Sequence, residues 1–406
     1  MIEFKEVAGG ICAPKGFTAC GIHAGLRKNN RKDLALIYSE TPCTAAAVYT
    51  QNKVKASPLI ITASHIEKGG AKAIICNSGN ANACNGTGME TAESMSRLTA
   101  ETLGIDKEDV LVASTGIIGK ELDIAPISKN IKNLVAALSP KGSSDCANAI
   151  MTTDLQPKEI AVTLEVGGVA CSIGGICKGS GMIEPNMATM LGFIATDVKI
   201  SSEMLKKALK EVVDKTFNMI SVDGDTSTND MTIILANGLA KNTEINNEGK
   251  DFQVFMLALE KVCKFLAKSI AKDGEGATKL LECSVSGTKD KKTAAVLAKS
   301  VINSNLFKAA MFGEDANWGR VLCALGYAGV DVDVNGIDIS FRSSGGCIQV
   351  CNKGKGMVFD ENLAKIILQE KEIIIAINVG DGPGSATAWG CDLSYDYVKI
   401  NGDYRS

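Results

Sequence analysis

Residues 178–191, KGSGMIEPNMATML, combine flexible backbone with one candidate nucleophile, the hydroxyl of Thr189. Glycine and Pro185 favour an ordinary surface loop between two lobes, which is one interpretation. A phosphate-binding loop is a weaker interpretation, because Lys178 precedes the Gly-Ser pair, whereas the lysine of a P-loop follows its glycines. The third interpretation is that the loop presents the Thr189 hydroxyl for nucleophilic chemistry.

A threonine inside a chain has no base beside it to take its proton, and this chain has two histidines, His23 and His65. Neither histidine stands in a catalytic or zinc-ligand spacing, so we interpret both as surface or core residues. An N-terminal α-amine, with a reference pKa of about 8, can act as the base for a threonine hydroxyl. The amine becomes available if Thr189 Oγ attacks the Ala188 carbonyl through a five-membered ring and water opens the resulting ester. From these residues alone the ordinary loop remains the favoured interpretation.

Composition favours small-molecule chemistry. The 406 residues include 43 basic and 46 acidic side chains, a net charge of −3, and no long run of one sign. Nucleic acid and anionic membranes are therefore not expected partners. The N-terminus lacks the pattern of a secretion signal, and no apolar run is long enough to span a membrane. Fourteen cysteines without a C-x-x-C pair indicate reduced core residues, so we expect a cytoplasmic protein.

Hydrophobic patterns predict strands grouped in sets, with long helices between them. The predicted strands include a hairpin over 158–174 that turns at Gly167-Gly168, and the segments Leu34–Tyr38, Pro58–Thr62, Ala73–Cys76, 231–236, 281–286, 338–350 and 373–379. The predicted helices span 201–220, 251–274 and roughly 290–303. This grouping indicates an α+β fold or a layered αββα architecture, in preference to alternating βαβ units. The loop near 180–189 is the expected point of division.

The sequence resembles a known family over essentially its whole length. The loop KGSGMIEPNMATML resembles the self-cleavage loop of the arginine-biosynthesis glutamate N-acetyltransferases, also called ornithine acetyltransferases. Further stretches that resemble this family, in chain order, are NSGNANACNG (77–86), VASTGIIG (112–119), MTTD (151–154), SVDGDTSTND (221–230), KDGEGATK (272–279), FGEDANWGR (312–320), NVGDGPGSATAWGCDLSYDYVKING (378–402) and the terminal DYRS. So many ordered matches favour the nucleophile interpretation of Thr189.

The resemblance implies the layered αββα fold of that family and of self-cleaving aminopeptidases. It implies cleavage between Ala188 and Thr189 into chains 1–188 and 189–406, which would assemble as a heterotetramer of two copies of each. The implied reaction moves an acetyl group from N2-acetylornithine to glutamate through an acetyl ester on Thr189, with acetyl-CoA as a further donor in many members. No metal or other cofactor is implied.

The resemblance also implies a set of site residues. Thr115 (hydroxyl) and Gly116 (backbone N–H) would form the oxyanion hole. The implied substrate contacts are the MTTD threonines Thr152 and Thr153, of which Thr152 is the first choice, together with Lys178, Thr189, Glu275, Asn401 and Ser406. The family commonly ends in Thr; the Ser here keeps the hydroxyl and the terminal carboxylate.

Two alternatives stay open. A related N-terminal-nucleophile aminopeptidase or amidase would use the same nucleophile with water as the acceptor. A binding or scaffold protein would need no break at Ala188.

Overall fold

Two mixed β-sheets, flanked by helices, make up the structure, a computed structural model that describes residues 4–28, 30–67, 69–184 and 190–403. The strands are β1 (Phe17–Ile22), β2 (Leu34–Tyr49), β3 (Ala71–Asn77), β4 (Val110–Ser114), β5 (Lys158–Val166), β6 (Val169–Lys178), β7 (Leu191–Thr196), β8 (Met231–Ala236), β9 (Leu280–Gly287), β10 (Asp338–Ser343), β11 (Gly346–Asn352), β12 (Lys355–Gly356), β13 (Glu372–Asn378) and β14 (Gly382–Cys391). The α-helices are α1 (Ser57–Glu67), α2 (Gly88–Leu103), α3 (Ala125–Ala136), α4 (Ser143–Ile150), α5 (Ser202–Lys215), α6 (Lys250–Lys272), α7 (Lys291–Asn303), α8 (Asn305–Phe312), α9 (Trp318–Gly326), α10 (Glu361–Leu368) and α11 (Tyr395–Asp403).

The larger sheet has the order β4-β3-β2-β8-β7-β6-β5, and β1 also pairs with β2. Strand β7 runs antiparallel to β6 and parallel to β8. The register places Leu191 opposite Lys178 on one side and Met231 on the other. Thus the end of β6 and the starts of β7 and β8 lie together at one end of these strands. Strand β7 begins two residues after Thr189.

The two segments of the chain, before and after the predicted cleavage point, interleave in this sheet. Strand β8 pairs antiparallel with β2, and β7 pairs with β6. A chain divided between residues 188 and 189 would therefore stay joined by two strand pairings. The boundary itself stays a prediction.

Strand β7 is buried on both faces, which explains its continuous apolar sequence LGFIAT. Leu191 and Phe193 pack into the core cluster that includes residues of α4. Ile194 points the other way, into the cluster formed with α5 and α6. The strand that follows the candidate nucleophile is consequently held from both sides.

The smaller sheet has the order β12-β11-β10-β13-β9-β14. Helix α7 packs against β9 and β14, and α10 packs against β10 and β11. The α+β class predicted from the sequence is confirmed. The predicted hairpin is β5 and β6, and its turn glycines, Gly167 and Gly168, both have positive φ.

Two predicted strands differ in the structure. The segment Pro58–Thr62 is wrong as a strand because it lies inside α1, where proline is tolerated in the first turn. A five-residue apolar run does not by itself distinguish a buried strand from part of a helix. The segment 338–350 is two antiparallel strands, β10 and β11, with Ser344 and Gly345 between them.

The remaining expectations from composition also have structural counterparts. The fourteen cysteines are unpaired, and eleven of them are buried. His65 is a core residue whose Nδ1 lies 2.8 Å from the Val110 carbonyl oxygen, as interpreted from the sequence. Within the described ranges no helix has the length and apolar character needed to cross a membrane.

Candidate active site

A cavity of about 290 Å³ lies at the edge of the larger sheet where β7 begins. It brings together the seven predicted site residues that the structure describes, although they are spread from position 115 to position 401. Its lining residues are Ala81, Thr115, Gly116, Ile117, Ile118, Thr152, Thr153, Lys178, Gly181, Met182, Met190, Leu191, Ser227, Asn229, Asp230, Glu275 and Asn401. Three predicted residues, Ala188, Thr189 and Ser406, lie outside the described residues.

Thr115 and Gly116 follow β4 at the cavity wall. The Thr115 N–H donates to the Asn77 carbonyl at 2.9 Å, which fixes the backbone at this point. Gly116 has φ of 129°, and a Cβ there would lie 2.9 Å from the backbone nitrogen of Asn80. Only glycine fits this backbone without displacing its neighbour. No partner within the described parts of the chain accepts a hydrogen bond from the Thr115 hydroxyl or the Gly116 N–H. Thr115 and Gly116 both line the cavity, which makes these two groups candidate donors to an oxygen atom there.

The asparagine-rich stretch 77–86 forms the frame behind these donors. Asn77 Oδ1 accepts from the backbone N–H groups of Gly79 (3.1 Å) and Asn80 (3.0 Å), and its Nδ2 donates to Ser114 Oγ at 2.7 Å. Asn80 Nδ2 donates to the carbonyl of Lys120 at 3.2 Å. Short carboxamide side chains that bond to nearby backbone stabilise irregular loops. This is the structural role of a motif to which the sequence alone assigned none.

Lys178, the last residue of β6, supplies a cation to the cavity. It is buried, and within the described residues its ammonium group forms no direct ion pair or hydrogen bond, although the Asp154 carboxylate is close enough for the two charges to interact. A buried ammonium group needs a partner, because desolvation of an unpaired charge is costly. Lys178 therefore suits a carboxylate on a ligand.

Asp154 holds the MTTD loop against the end of β6. Its carboxylate accepts from Thr152 N–H at 2.9 Å, from Gly179 N–H at 2.7 Å and from Lys158 Nζ at 2.7 Å. Burial alone would raise the pKa of Asp154, but the charges of Lys158 and Lys178 and these hydrogen bonds lower it to about 2. The ionised Asp154 thereby places the MTTD threonines beside Lys178. Both Thr152 and Thr153 line the cavity, so the geometry does not choose between them.

Glu275 supplies the opposite charge. Its side chain is buried, and Oε2 accepts from Asn401 Nδ2 of α11 at 2.8 Å. A Cβ on Gly181 would come within 2.4 Å of the Glu275 carboxylate, so glycine at 181 makes room for it. Since the cavity carries a cation from Lys178 and an anion from Glu275, it is complementary to a zwitterionic ligand such as an amino acid.

The segment that leads into the predicted cleavage loop is anchored up to Glu184. The N–H groups of Met182 and Ile183 donate to the Asp223 carboxylate at 2.7 and 2.8 Å. Tyr397 of α11 donates its hydroxyl to the same carboxylate at 3.3 Å. Glu184 N–H donates to the Asp225 carbonyl at 2.8 Å. The residues just before the loop are thus joined to α11, which carries Asn401.

Sequence reasoning missed several residues of the cavity wall. Asn229 and Asp230 lie in SVDGDTSTND, a stretch that carries the family resemblance but received no role. Nothing in its local pattern separates a structural carboxamide from a solvent-exposed one, because the two carbonyl groups to which Asn229 donates are more than a hundred residues away. Among the described residues, no group of three or more His, Cys, Asp or Glu side chains is arranged to hold a metal ion.

One prediction concerns the stability that Asp154 provides. An Asp154→Asn variant should lose on the order of 2 kcal/mol at pH 7, because Lys178 loses a nearby negative charge and Lys158 keeps only its ion pair with Asp273. The folded-state pKa of Asp154 lies below its ordinary value of 3.8. Its contribution is therefore fully present above about pH 4 and is lost as pH falls towards 2. Urea unfolding at pH 7 and pH 3 should show the difference between variant and wild type shrinking at the lower pH.

The matched control for this measurement is Asp145→Asn, which removes a surface ion pair with Lys32. Because both side chains of this ion pair are exposed, the variant should change the free energy of unfolding only slightly. Equal losses for the two variants would contradict the role given to Asp154.

A second prediction concerns Asn401. An Asn401→Ala variant loses the amide donor to the Glu275 carboxylate, so we expect about a tenfold lower specificity constant for a substrate held there. Lys399→Ala, an exposed position on the same helix, serves as the control. Steady-state kinetics on both variants measure the effect, and wild-type kinetics for the first would show that α11 has no part in binding.

Comparisons with known proteins show the family to which the chain belongs. Residues 18–406 match the ArgJ family. The arginine biosynthesis bifunctional protein ArgJ of Caldanaerobacter subterraneus subsp. tengcongensis is 52% identical over 399 residues, covering 98% of this chain and 99% of that protein. The protein of the same name from Bacillus subtilis is 46% identical, and the match covers both chains completely.

A solved structure gives a further comparison. The crystal structure of arginine biosynthesis bifunctional protein argJ from Bacillus halodurans matches with 45% identity and a TM-score of 0.51. The match covers 53% of this chain and all of that one. The family resemblance stated from the sequence motifs is confirmed. The chain is therefore a member of the ArgJ family, homologous over nearly its whole length to bifunctional enzymes of arginine biosynthesis.

Proposed function

We propose that this chain transfers the acetyl group of N2-acetylornithine to glutamate through an acetyl ester on Thr189, after cleaving itself between Ala188 and Thr189. The observation that carries the proposal is the cavity at the start of β7. Its wall combines two hydrogen-bond donors, Thr115 and Gly116, with a buried cation and a buried anion. Strand β7 itself begins two residues after Thr189.

The first half-reaction forms the ester. The Thr189 hydroxyl attacks the acetyl carbonyl carbon, and the α-amine freed by cleavage takes the hydroxyl proton. The carbonyl oxygen becomes an oxyanion that accepts from the Thr115 hydroxyl and the Gly116 N–H. When the C–N bond breaks, the proton passes to the ornithine α-nitrogen and ornithine leaves.

The second half-reaction reverses these steps with another amine. The α-amine of glutamate attacks the acetyl ester, its proton returns through the Thr189 amine to the threonine oxygen, and N-acetylglutamate leaves. One amide replaces another of similar energy, so the exchange needs no cofactor and no ATP. Lys178 suits the α-carboxylate, the charged group that N2-acetylornithine and glutamate have in common, and Glu275 suits the side-chain ammonium of N2-acetylornithine.

Self-cleavage is supported by the chemistry of the loop and by the interleaved strands. Residues 189–406 make up 218 of the 406 residues, about 54% of the chain. The solved Bacillus halodurans chain accounts for 53% of this one, which is the length expected of such a fragment. We propose two copies of each fragment in the assembled enzyme, and light scattering at the mass of a single cleaved pair would contradict this.

The test of the proposed function is a transfer assay with each donor in turn. N2-acetylornithine and glutamate should give ornithine and N-acetylglutamate with parallel double-reciprocal lines, and mass spectrometry with N2-acetylornithine alone should show one acetyl group on the 189–406 chain. Acetyl-CoA with glutamate tests a second donor, in keeping with the bifunctional name of the relatives. Absence of transfer with both donors would overturn the proposal.

Hydrolysis provides the contrast with a related aminopeptidase or amidase. Such an enzyme would release acetate or an amine at the same rate with and without glutamate. The cation of Lys178 favours an acceptor that carries a carboxylate over water, so we expect glutamate to raise the rate of ornithine release.

A further inference from the structure

The carboxamide of Asn229 joins both backbone segments that form the wall around Thr115. Asn229 is buried, and its Nδ2 lies 2.5 Å from the Ala81 carbonyl oxygen and 2.8 Å from the Ser114 carbonyl oxygen. Ser114 directly precedes Thr115, and Ala81 donates its N–H to the Ile117 carbonyl at 3.0 Å. One amide group therefore binds the loop 115–117 from both sides.

The orientation of this carboxamide is determined by its partners. Two carbonyl oxygens can only accept, so the atom facing them must be the nitrogen, which has two hydrogens to donate. Asn229 Oδ1 accepts from the Thr228 hydroxyl at 2.6 Å. Three hydrogen bonds thus hold a buried side chain in a single rotamer, which is the arrangement expected of a rigid support.

Asn229 also lies next to the strand that follows Thr189. It precedes β8 by two residues, and Met231 at the start of β8 pairs with Leu191 at the start of β7. The Met231 N–H donates to the Met190 carbonyl at 3.1 Å. Asn229 therefore connects the oxyanion loop to the backbone immediately after the nucleophile.

The other asparagines of the wall do not provide this connection. Asn77 and Asn80 bond to groups within residues 77–121, so they stabilise the loop internally. A loop that is well ordered in itself can still be displaced relative to the nucleophile. A displacement of about 1 Å in catalytic geometry can cost about 100-fold in rate.

We propose that Asn229 is a positioning residue that holds the oxyanion donors, Thr115 and Gly116, in place relative to the start of β7, the strand that follows the nucleophile in the chain. The inference rests on the proposed acetyl transfer and extends it. Asn229 does not touch the reacting atoms in this role, because both of its donor hydrogens are used by the Ser114 and Ala81 carbonyls.

The expected effect is on turnover. An Asn229→Ala variant should lower kcat about 10- to 100-fold and change KM less than threefold, because Lys178 and Glu275 still bind the substrate. Asn229→Asp should be at least as slow, since a carboxylate would face two carbonyl oxygens with no hydrogen to donate. Rates are expressed per mole of cleaved 189–406 chain, so that slower self-cleavage does not count as slower transfer.

The deciding experiment is a double-mutant cycle with Thr115→Val, which removes the hydroxyl donor and keeps the side-chain shape. If Asn229 acts through the oxyanion loop, the double variant should be little slower than the slower single variant. Losses that multiply would overturn the positioning role, and so would wild-type kcat in Asn229→Ala. If Asn229→Ala does not fold, Thr228→Val, which frees the carboxamide oxygen, takes its place in the same cycle.

Asn237→Ala is the matched control. Asn237 directly follows β8, and its carboxamide donates to the Lys15 carbonyl at 2.8 Å. Like Asn229 it bonds to a residue that is distant in the sequence, but it does not line the active-site cavity. Its loss should lower stability without lowering kcat.

A wild-type enzyme that transfers no acetyl group would overturn the proposed function itself, and the role of Asn229 with it. If the wild type is active and the losses in kcat of the two single variants multiply in the double variant, only the role of Asn229 is overturned.

Discussion

A Thr189→Ala variant is expected to purify as one uncut chain of 406 residues and to show no measurable acetyl transfer. In the proposed mechanism the same hydroxyl attacks the Ala188 carbonyl in cleavage and the acetyl carbonyl in turnover, so its removal should stop both reactions. Loss of a catalytic nucleophile typically costs 10⁴-fold or more in kcat. Denaturing electrophoresis and N-terminal sequencing should find a second chain beginning TMLGFIATD in the wild type and not in the variant.

Thr189→Ser is the matched control, because it keeps the hydroxyl and removes only the methyl group. This variant should still be cut and should retain part of the transfer activity. If Thr189→Ala is cut at the wild-type rate, self-cleavage by this residue is wrong, whatever the outcome for transfer.

The second large effect is expected from Gly116→Ala. The added Cβ would lie 2.9 Å from the backbone nitrogen of Asn80, at a φ of 129° that side chains rarely adopt. The backbone must move, and the Gly116 N–H moves with it. Because losing one oxyanion donor costs about 10²–10³ in kcat, we expect at least a 100-fold decrease with a smaller change in KM.

Gly119→Ala separates backbone strain from displacement of the donor. Gly119 also has positive φ, 80°, but a Cβ there would meet no atom within 4 Å. Its substitution should cost about 1 kcal/mol of stability and leave kcat near the wild-type value. Stopped-flow measurement of acetyl-enzyme formation on both variants tests this, and equal effects on kcat would show that strain alone is responsible.

Local patterns in the sequence predicted much of the larger elements. The alternation over 158–174 with its two glycines predicted the β5–β6 hairpin, and the helical period after Ser201 predicted α5, where the Ser201 hydroxyl accepts from Met204 N–H. These predictions succeed because hydrophobic period and caps act over a few residues. The strand predicted for Pro58–Thr62 is wrong because a run of five residues is too short for its hydrophobic pattern to distinguish a strand from a helix.

The candidate site could not be assembled from local patterns. Glu275 and Asn401 are 126 positions apart, and their hydrogen bond exists only because α11 folds back onto the cavity. Family resemblance supplied these residues as a set, and the structure places them on one wall. Asn229 was missed because its two carbonyl partners, on Ala81 and Ser114, are far away in the sequence.

The interleaving of β7 and β8 with β6 and β2 has a thermodynamic consequence for an enzyme that cuts itself. Before the cut, unfolding and refolding involve one molecule, and the connection between residues 188 and 189 keeps the partner strands close together. After the cut, the same unfolding releases two polypeptides, so refolding becomes bimolecular and the midpoint of thermal unfolding depends on protein concentration. If the chain cuts itself as proposed, folding before cleavage would let one covalent chain bring together strands that the cut protein then holds by pairing alone.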